Sequence, residues 1–154
     1  MGRYSATVSS SAALAANTGF FWLMAPAGSG CKLRRITGGV VAGATTPTSQ
    51  QVSIGIARTT NAGTTGTPVT AHKLDPNSPS AAMVPNSAFS TPPTLVATDQ
   101  FLIPFNTQSG FDLPWEQLEE WVISAGTTNG IALLNRVNAL PTSHLYQVSV
   151  EWEE

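Results

Sequence analysis

From Tyr146 to Glu153, apolar and polar residues alternate without a break. Tyr146, Val148, Val150 and Trp152 share one face, and Gln147, Ser149, Glu151 and Glu153 share the other. Period-two alternation commits a segment to an extended strand with one buried side, because successive side chains on a strand point to opposite faces. Two more segments follow the rule: Tyr4, Ala6 and Val8 against Arg3, Ser5 and Thr7, and Val52, Ile54 and Ile56 against Gln51, Ser53 and Gly55. Residues 20–24, 40–42, 101–105, 121–124 and 131–134 are dominated by apolar side chains, the pattern of more fully buried strands. Residues 69–74 form a weaker candidate.

Leu33-Arg34-Arg35-Ile36 sets two arginines side by side inside such a segment, which predicts a bulge or a strand that changes sheets. Helical spacing is confined to two short stretches. Residues 11–16 place Ser11 before alanines but cannot stand alone; residues 114–121 space Trp115, Leu118 and Trp121 as one turn, with Asp112 as a cap. Gly126-Thr127-Thr128-Asn129-Gly130 predicts a hairpin connection, with Asn-Gly supplying positive φ. The chain of 154 residues fits one domain, 1–154, with no internal repeat. These features predict an all-β fold: an antiparallel β-sandwich of eight or nine short strands. Jelly-roll connectivity is favoured over an antibody-type sandwich, whose cysteine pair a chain with one cysteine lacks.

Residues 75–99 stand apart. They hold five prolines (Pro76, Pro79, Pro85, Pro92, Pro93) and isolated apolar residues, Met83, Val84, Phe89, Leu95 and Val96, with no sustained period. Prolines stiffen a chain and remove backbone donors, so the segment reads as a poor strand and a good extended arm. It is expected to bury those five residues against a neighbouring molecule; folding back over its own sandwich is the alternative.

Charged residues make up only 10% of the chain, against about a quarter in ordinary globular domains. Ser, Thr, Gly, Asn and Gln carry the polarity, in runs such as 45–51 and 59–67. The charges are also segregated. Six cations (Arg3, Lys32, Arg34, Arg35, Arg58, Lys73) precede the first acid, giving +6; from Asp75 onward nine acids face Arg136 alone, giving −8. This split suggests complementary contact between neighbouring copies, and solvation alone is the simpler account. A net charge of −2 argues against nucleic acid as a main partner.

No recognisable catalytic constellation emerges, and the chain is expected to be no enzyme. His72 and His144 stand apart from any nucleophile motif, the first at a cationic strand end and the second just before the last strand. Gly28-Ser29-Gly30-Cys31-Lys32 lacks the spacing of a phosphate loop and is followed by Leu33 rather than Ser or Thr. Glu116, Glu119 and Glu120 crowd within five residues without an Asp-rich metal loop, so they read as a solvated edge beside Trp115 and Trp121. Glu151, Glu153 and Glu154 read as an acidic strand end. Cys31 is the only cysteine, which excludes an internal disulfide and a thiolate metal cluster; it is expected buried. No cofactor or metal is expected. The apolar stretch 12–27 is interrupted by Asn17-Thr18-Gly19, so it predicts neither a leader nor a membrane span, and no membrane partner. Among the four tryptophans, Trp22 and Trp152 read as core, while Trp115 is free enough to meet a partner.

The C-terminal third, from Leu113-Pro114-Trp115-Glu116 through Leu140-Pro141-Thr142-Ser143-His144-Leu145 to the closing Val150-Glu151-Trp152-Glu153-Glu154, resembles small jelly-roll proteins among the structural proteins of tailed bacteriophages. The loop Ile123-Ser124-Ala125-Gly126-Thr127-Thr128-Asn129-Gly130-Ile131 carries part of that resemblance, with looser support from residues 37–58. The resemblance implies a non-enzymatic virion component, foremost a capsid decoration (cement) protein. Such a protein would be a trimer on the capsid surface, assembled in the host cytoplasm, with the major capsid protein or other virion proteins as partners. A tail or fibre surface protein, or a carbohydrate-binding β-sandwich module, is the alternative. The expected assembly contacts are Met83, Val84, Phe89, Leu95, Val96, Arg34, Arg35 and Trp115.

Overall fold

The alternating and apolar segments become strands of two six-stranded antiparallel sheets packed as a sandwich. A computed structural model describes residues 1–42, 48–136 and 139–154; the first residues of the polar run 45–51 lie outside the described set. The first sheet contains β1 (Arg3–Ser9), β3 (Cys31–Ala42), β6 (His72–Lys73), β9 (Gly110–Pro114), β10 (Trp121–Ile123) and β12 (His144–Glu153). Its order is β10-β3-β12-β1-β6, with β9 also paired to β3. The second contains β2 (Gly19–Met24), β4 (Gln51–Arg58), β5 (Thr64–Pro68), β7 (Val84–Thr91), β8 (Phe101–Asn106) and β11 (Gly130–Asn135), in the order β5-β7-β2-β11-β4-β8.

The alternating face of β12 is the centre of the core. Tyr146, Val148, Val150 and Trp152 are fully buried, between β1 and β3. They face Ile54 and Ile56 of β4 and Ile131 and Leu133 of β11 in one continuous cluster. Asn135, fully buried at the end of β11, bridges the two sheets. It donates from Nδ2 to the carbonyls of Leu14 and Ala15 (3.1 and 3.2 Å) and accepts the Tyr146 hydroxyl at 2.9 Å.

Continuous apolarity in β2 and β11 has a direct cause: both strands are buried on both faces. Ile131 and Leu133 point into the main core, while Ala132 and Leu134 join Trp22, Met24 and Ala57 in a second cluster on the outer side of the sheet. Phe89 and Leu95 cover that cluster.

Several expectations are corrected here. The described residues form twelve strands rather than eight or nine. Part of the surplus comes from residues 59–100, which supply β5, β6 and β7. The segment 75–99 is therefore no free arm: β7 pairs with β2 and β5, Leu95 bridges Thr59, and Asp99 holds Arg136. The prolines tolerate this because Pro85 opens the strand and the others lie outside it. No helix occurs among the described residues. Ala13 (φ 52°) and Leu118 (φ 78°) adopt left-handed backbone, which interrupts both stretches with helical spacing. No described helix is long and apolar enough to cross a membrane.

The turn at 126–130 forms, but it is no hairpin. It carries the chain from β10 in one sheet to β11 in the other, and β11 pairs with β2 and β4. Positive φ falls on Gly126 (133°) instead of on Asn-Gly. Gly130 is needed for close approach, since a Cβ there would sit 2.6 Å from the Leu23 carbonyl oxygen.

Cys31 is buried as expected, and burial pushes its thiol up to about 12. The thiolate is the reactive form, so Cys31 should resist iodoacetamide in the folded protein and react promptly in denaturant. Mass spectrometry after timed labelling checks this; rapid native labelling would contradict the packing.

Candidate functional site

The Arg34-Arg35 pair sits on a bulge, the first of the two forms its sequence predicts. Glu151 pairs with Arg35 and Trp152 with Leu33, so Arg34 is the extra residue. The bulge keeps Leu33 and Ile36 fully buried while both guanidinium groups turn away from the core. Arg34 donates to Glu153 through Nε and Nη2 and to Glu120 through Nη1 (2.5 Å). Lys32 approaches Glu120 at 3.9 Å, Arg35 grips Asp112 with two bonds of 2.8 and 2.6 Å, and Arg3 reaches Glu151 at 3.7 Å. On the opposite sheet Arg136 binds Asp99 through 2.7 and 2.6 Å bonds.

The +6/−8 split is thus matched within one chain, because the topology lays β1 and β3 beside β9 and β12. Complementary charge need not be supplied by a neighbouring copy. Glu120 is correspondingly no solvated edge: its side chain is only 5% exposed. Burial pushes its carboxyl up, but backbone amides, Arg34 and Lys32 together hold it below the usual value. The bidentate bond from Arg35, with its charge, holds Asp112 below its ordinary value despite opposing desolvation.

A depressed carboxyl contributes stability that is complete above its unfolded value and lost as pH falls through the folded one. Arg35→Ala should therefore return Asp112 to the ordinary range around 3.8 and remove its share of the acid-limb slope. Carboxyl NMR titration reads this directly; an unmoved Asp112 would show that the Arg35 bond does not control it.

A depression of about 470 Å³ overlies this ladder, lined by Arg3, Arg34, Arg35, Trp115, Glu151 and Glu153 among others. Its arginines and glutamates are engaged with one another or with adjacent acids, so the depression offers few free charged groups to a ligand.

A second surface forms where β8 of one sheet approaches β9 of the other. Phe101 meets Trp115 and Trp121 edge-on (centroids 5.9 and 5.4 Å), and the Arg58 guanidinium lies 4.8 Å from the Trp121 ring centroid. Burial lowers the Arg58 pKa. Phe101 is 40% exposed, and Leu118, in the loop between Trp115 and Trp121, is 91% exposed. Leu102 and Val122 alternate with Phe101 and Trp121 and so lie on the outer faces of the two sheets, away from this contact.

The structure disperses the expected contact residues. Met83 is buried in its own core, which removes it as a surface contact. Phe89 packs edge-on against Trp22, and Leu95 covers the same cluster. Val96 is half-buried, with its amide donated to Arg58. Val84 stays exposed, Arg34 and Arg35 are ion-paired, and Trp115 alone joins the aromatic surface. Sequence reasoning passed over Phe101 and Leu118 as contacts. The available signal was Leu118, an isolated leucine among glutamates.

Trp152 and Trp22 are both buried core residues as expected, Trp152 in the main cluster and Trp22 in the second one. His144 opens β12 and is buried; His72 is exposed in β6. Among the described residues no group of three His, Cys, Asp or Glu side chains is placed to hold a metal ion. The chain matches no protein-family model, no curated protein and no solved structure.

Proposed function

We propose that this protein is a non-enzymatic structural component of a virion, a decoration protein attached to the outside of a phage head through the rim formed by Phe101, Trp115 and the loop that carries Leu118. Leu118 carries the proposal. It combines 91% exposure with a φ of 78° and has its amide tied to Glu120 Oε2 at 2.9 Å. An apolar side chain held outward in left-handed backbone is costly on a free surface and is repaid when a partner covers it.

The strand order supports a jelly-roll frame. β1-β12-β3-β9 faces β2-β11-β4-β8, with β5 to β7 inserted between β4 and β8, an order that two Greek keys produce. Strand addition is a poor route to assembly. Both edges of the second sheet carry a proline, Pro68 in β5 and Pro104 in β8, which lacks a backbone donor. Attachment through side chains fits that constraint.

The proposal predicts co-sedimentation of the purified protein with undecorated phage heads, and a trimer by light scattering. Leu118→Asp should abolish binding while the melting temperature stays within a few degrees, since the side chain is exposed. A protein that remains monomeric and ignores heads, or a Leu118→Asp variant that binds undiminished, would overturn it.

A further inference from the structure

A recess of about 430 Å³ opens at the opposite end of the second sheet, between the β5–β7 ribbon and the turn at 126–129. Not one of its lining residues is charged. Met24, Val84 and Phe89 give it apolar walls, and Asn86, Thr65 and Thr127 bring a carboxamide and two hydroxyls. We propose that this recess binds a neutral saccharide.

Asn86 is the decisive residue. It is 4% exposed, and its Nδ2 donates to the Val84 carbonyl at 3.0 Å, which fixes the amide plane. A Cβ at position 66 would collide with Asn86 Oδ1 and lie 3.0 Å from Phe89 Cε1. Glycine there lets the amide and the ring stand side by side. Phe89 is held in turn by its edge-on contact with Trp22, centroids 5.5 Å apart. The adjoining turn is strained at Thr65, which has φ 43°, and is helped by Gly63, whose φ of 67° costs a glycine nothing. The strain is held in place by hydrogen bonds from the Gly63 amide to Asn61 (3.1 Å) and from Ser90 to the Thr64 carbonyl (2.7 Å). Left-handed backbone at a β-branched residue persists where surroundings over-determine it, commonly at ligand sites.

Apolar walls with a few fixed polar groups are the composition of small-molecule pockets, and the volume falls in their range. The chemistry narrows the ligand further. A charged ligand would find no countercharge in the lining, and a purely apolar one would cover the Thr65 and Thr127 hydroxyls without offering them a partner. A sugar ring offers C–H faces to Phe89 and Met24 and neutral hydroxyls to the amide and threonines.

The test is titration of ¹⁵N-labelled protein with maltotriose, N,N′-diacetylchitobiose and, as the charged comparison, trigalacturonate. At least one neutral sugar should shift amides clustered at residues 62–68, 84–89 and 127, with a Kd on the order of 1 mM or tighter. Asn86→Ala should weaken that binding by about tenfold or more. Thr127→Arg, at an exposed position, should block it with the fold intact by circular dichroism. No shift with either neutral sugar, shifts centred on the Phe101 surface, or an equal response to trigalacturonate would overturn the proposal. Head binding through Leu118 is read separately, so either assignment can fail without the other.

Discussion

Val148→Asp should leave no cooperatively folded protein at room temperature. Val148 is fully buried at the middle of β12, opposite Val8 on one side and Gly38 on the other. A carboxylate placed there meets neighbouring Tyr146, Val150, Ile54 and Leu133 of the same core cluster and no cation. An unpaired buried charge costs several kcal/mol even after it takes up a proton. Domains of this size are stable by only about 5–15 kcal/mol, so the substitution consumes most of the margin. Gln147→Asp, one residue away on the exposed face, should change stability by no more than about 0.5 kcal/mol. Thermal melts followed by circular dichroism compare the two. A cooperative Val148→Asp transition at the original temperature would mean that β12 is not central to the core.

The second large effect is expected at Asn135. Leucine there removes the side-chain bonds to the Leu14 and Ala15 carbonyls and leaves the buried Tyr146 hydroxyl without its acceptor, while the Leu14 carbonyl keeps the Leu140 amide as a donor. The stranded hydroxyl costs about 1–3 kcal/mol and the two lost carbonyl bonds about 0.5–1.5 kcal/mol each, so Asn135→Leu should lose on the order of 2–5 kcal/mol. Tyr146→Phe removes only the hydroxyl bond and should cost about 1–2 kcal/mol. Urea denaturation resolves the difference. If both variants lose the same amount, the bonds to the carbonyls at 14 and 15 contribute nothing and Asn135 does not tie the N-terminal loop to β11.

Position along the chain was a good guide wherever one residue type had only one place to go. The alternation from Tyr146 to Glu153 could satisfy its apolar face only by burial, and β12 spans His144–Glu153. Two adjacent arginines inside an apolar strand could avoid burial only if the register slipped, and the bulge falls at Arg34. Within the threonine- and asparagine-rich runs, residues 48–50 and 60–63 lie outside strands and are held by side-chain hydrogen bonds, whereas 64–67 belong to β5. Asn61 accepts amides from Gly63 and Thr94, and Thr107 donates to the Thr48 carbonyl at 2.5 Å.

Where pairing partners decide the outcome, the local pattern was silent. β5 is a threonine-glycine segment with no buried face, and it is a strand because β7 lies beside it. β7 itself is broken by proline at its start and carries no clean period, yet β2 offers it a partner at Trp22 to Met24. The apolar residues of 75–99 looked unclaimed because the surface they cover, Trp22, Met24, Ala57, Ala132 and Leu134, is assembled from three separate strands. No single stretch of sequence contains that surface.

The apolar surface around Phe101 has the same origin. Phe101, Trp115 and Trp121 come from one edge of each sheet and the loop between β9 and β10, and only closure of the sandwich brings them together. The sequence by itself determined an all-β chain, the buried face of its last strand and the site of its bulge, because a period of two and a misplaced charge pair are local constraints. The tertiary structure alone decided which charges neutralise each other, what the proline-rich segment covers and which apolar side chains remain outside, because those depend on strands distant in sequence becoming neighbours.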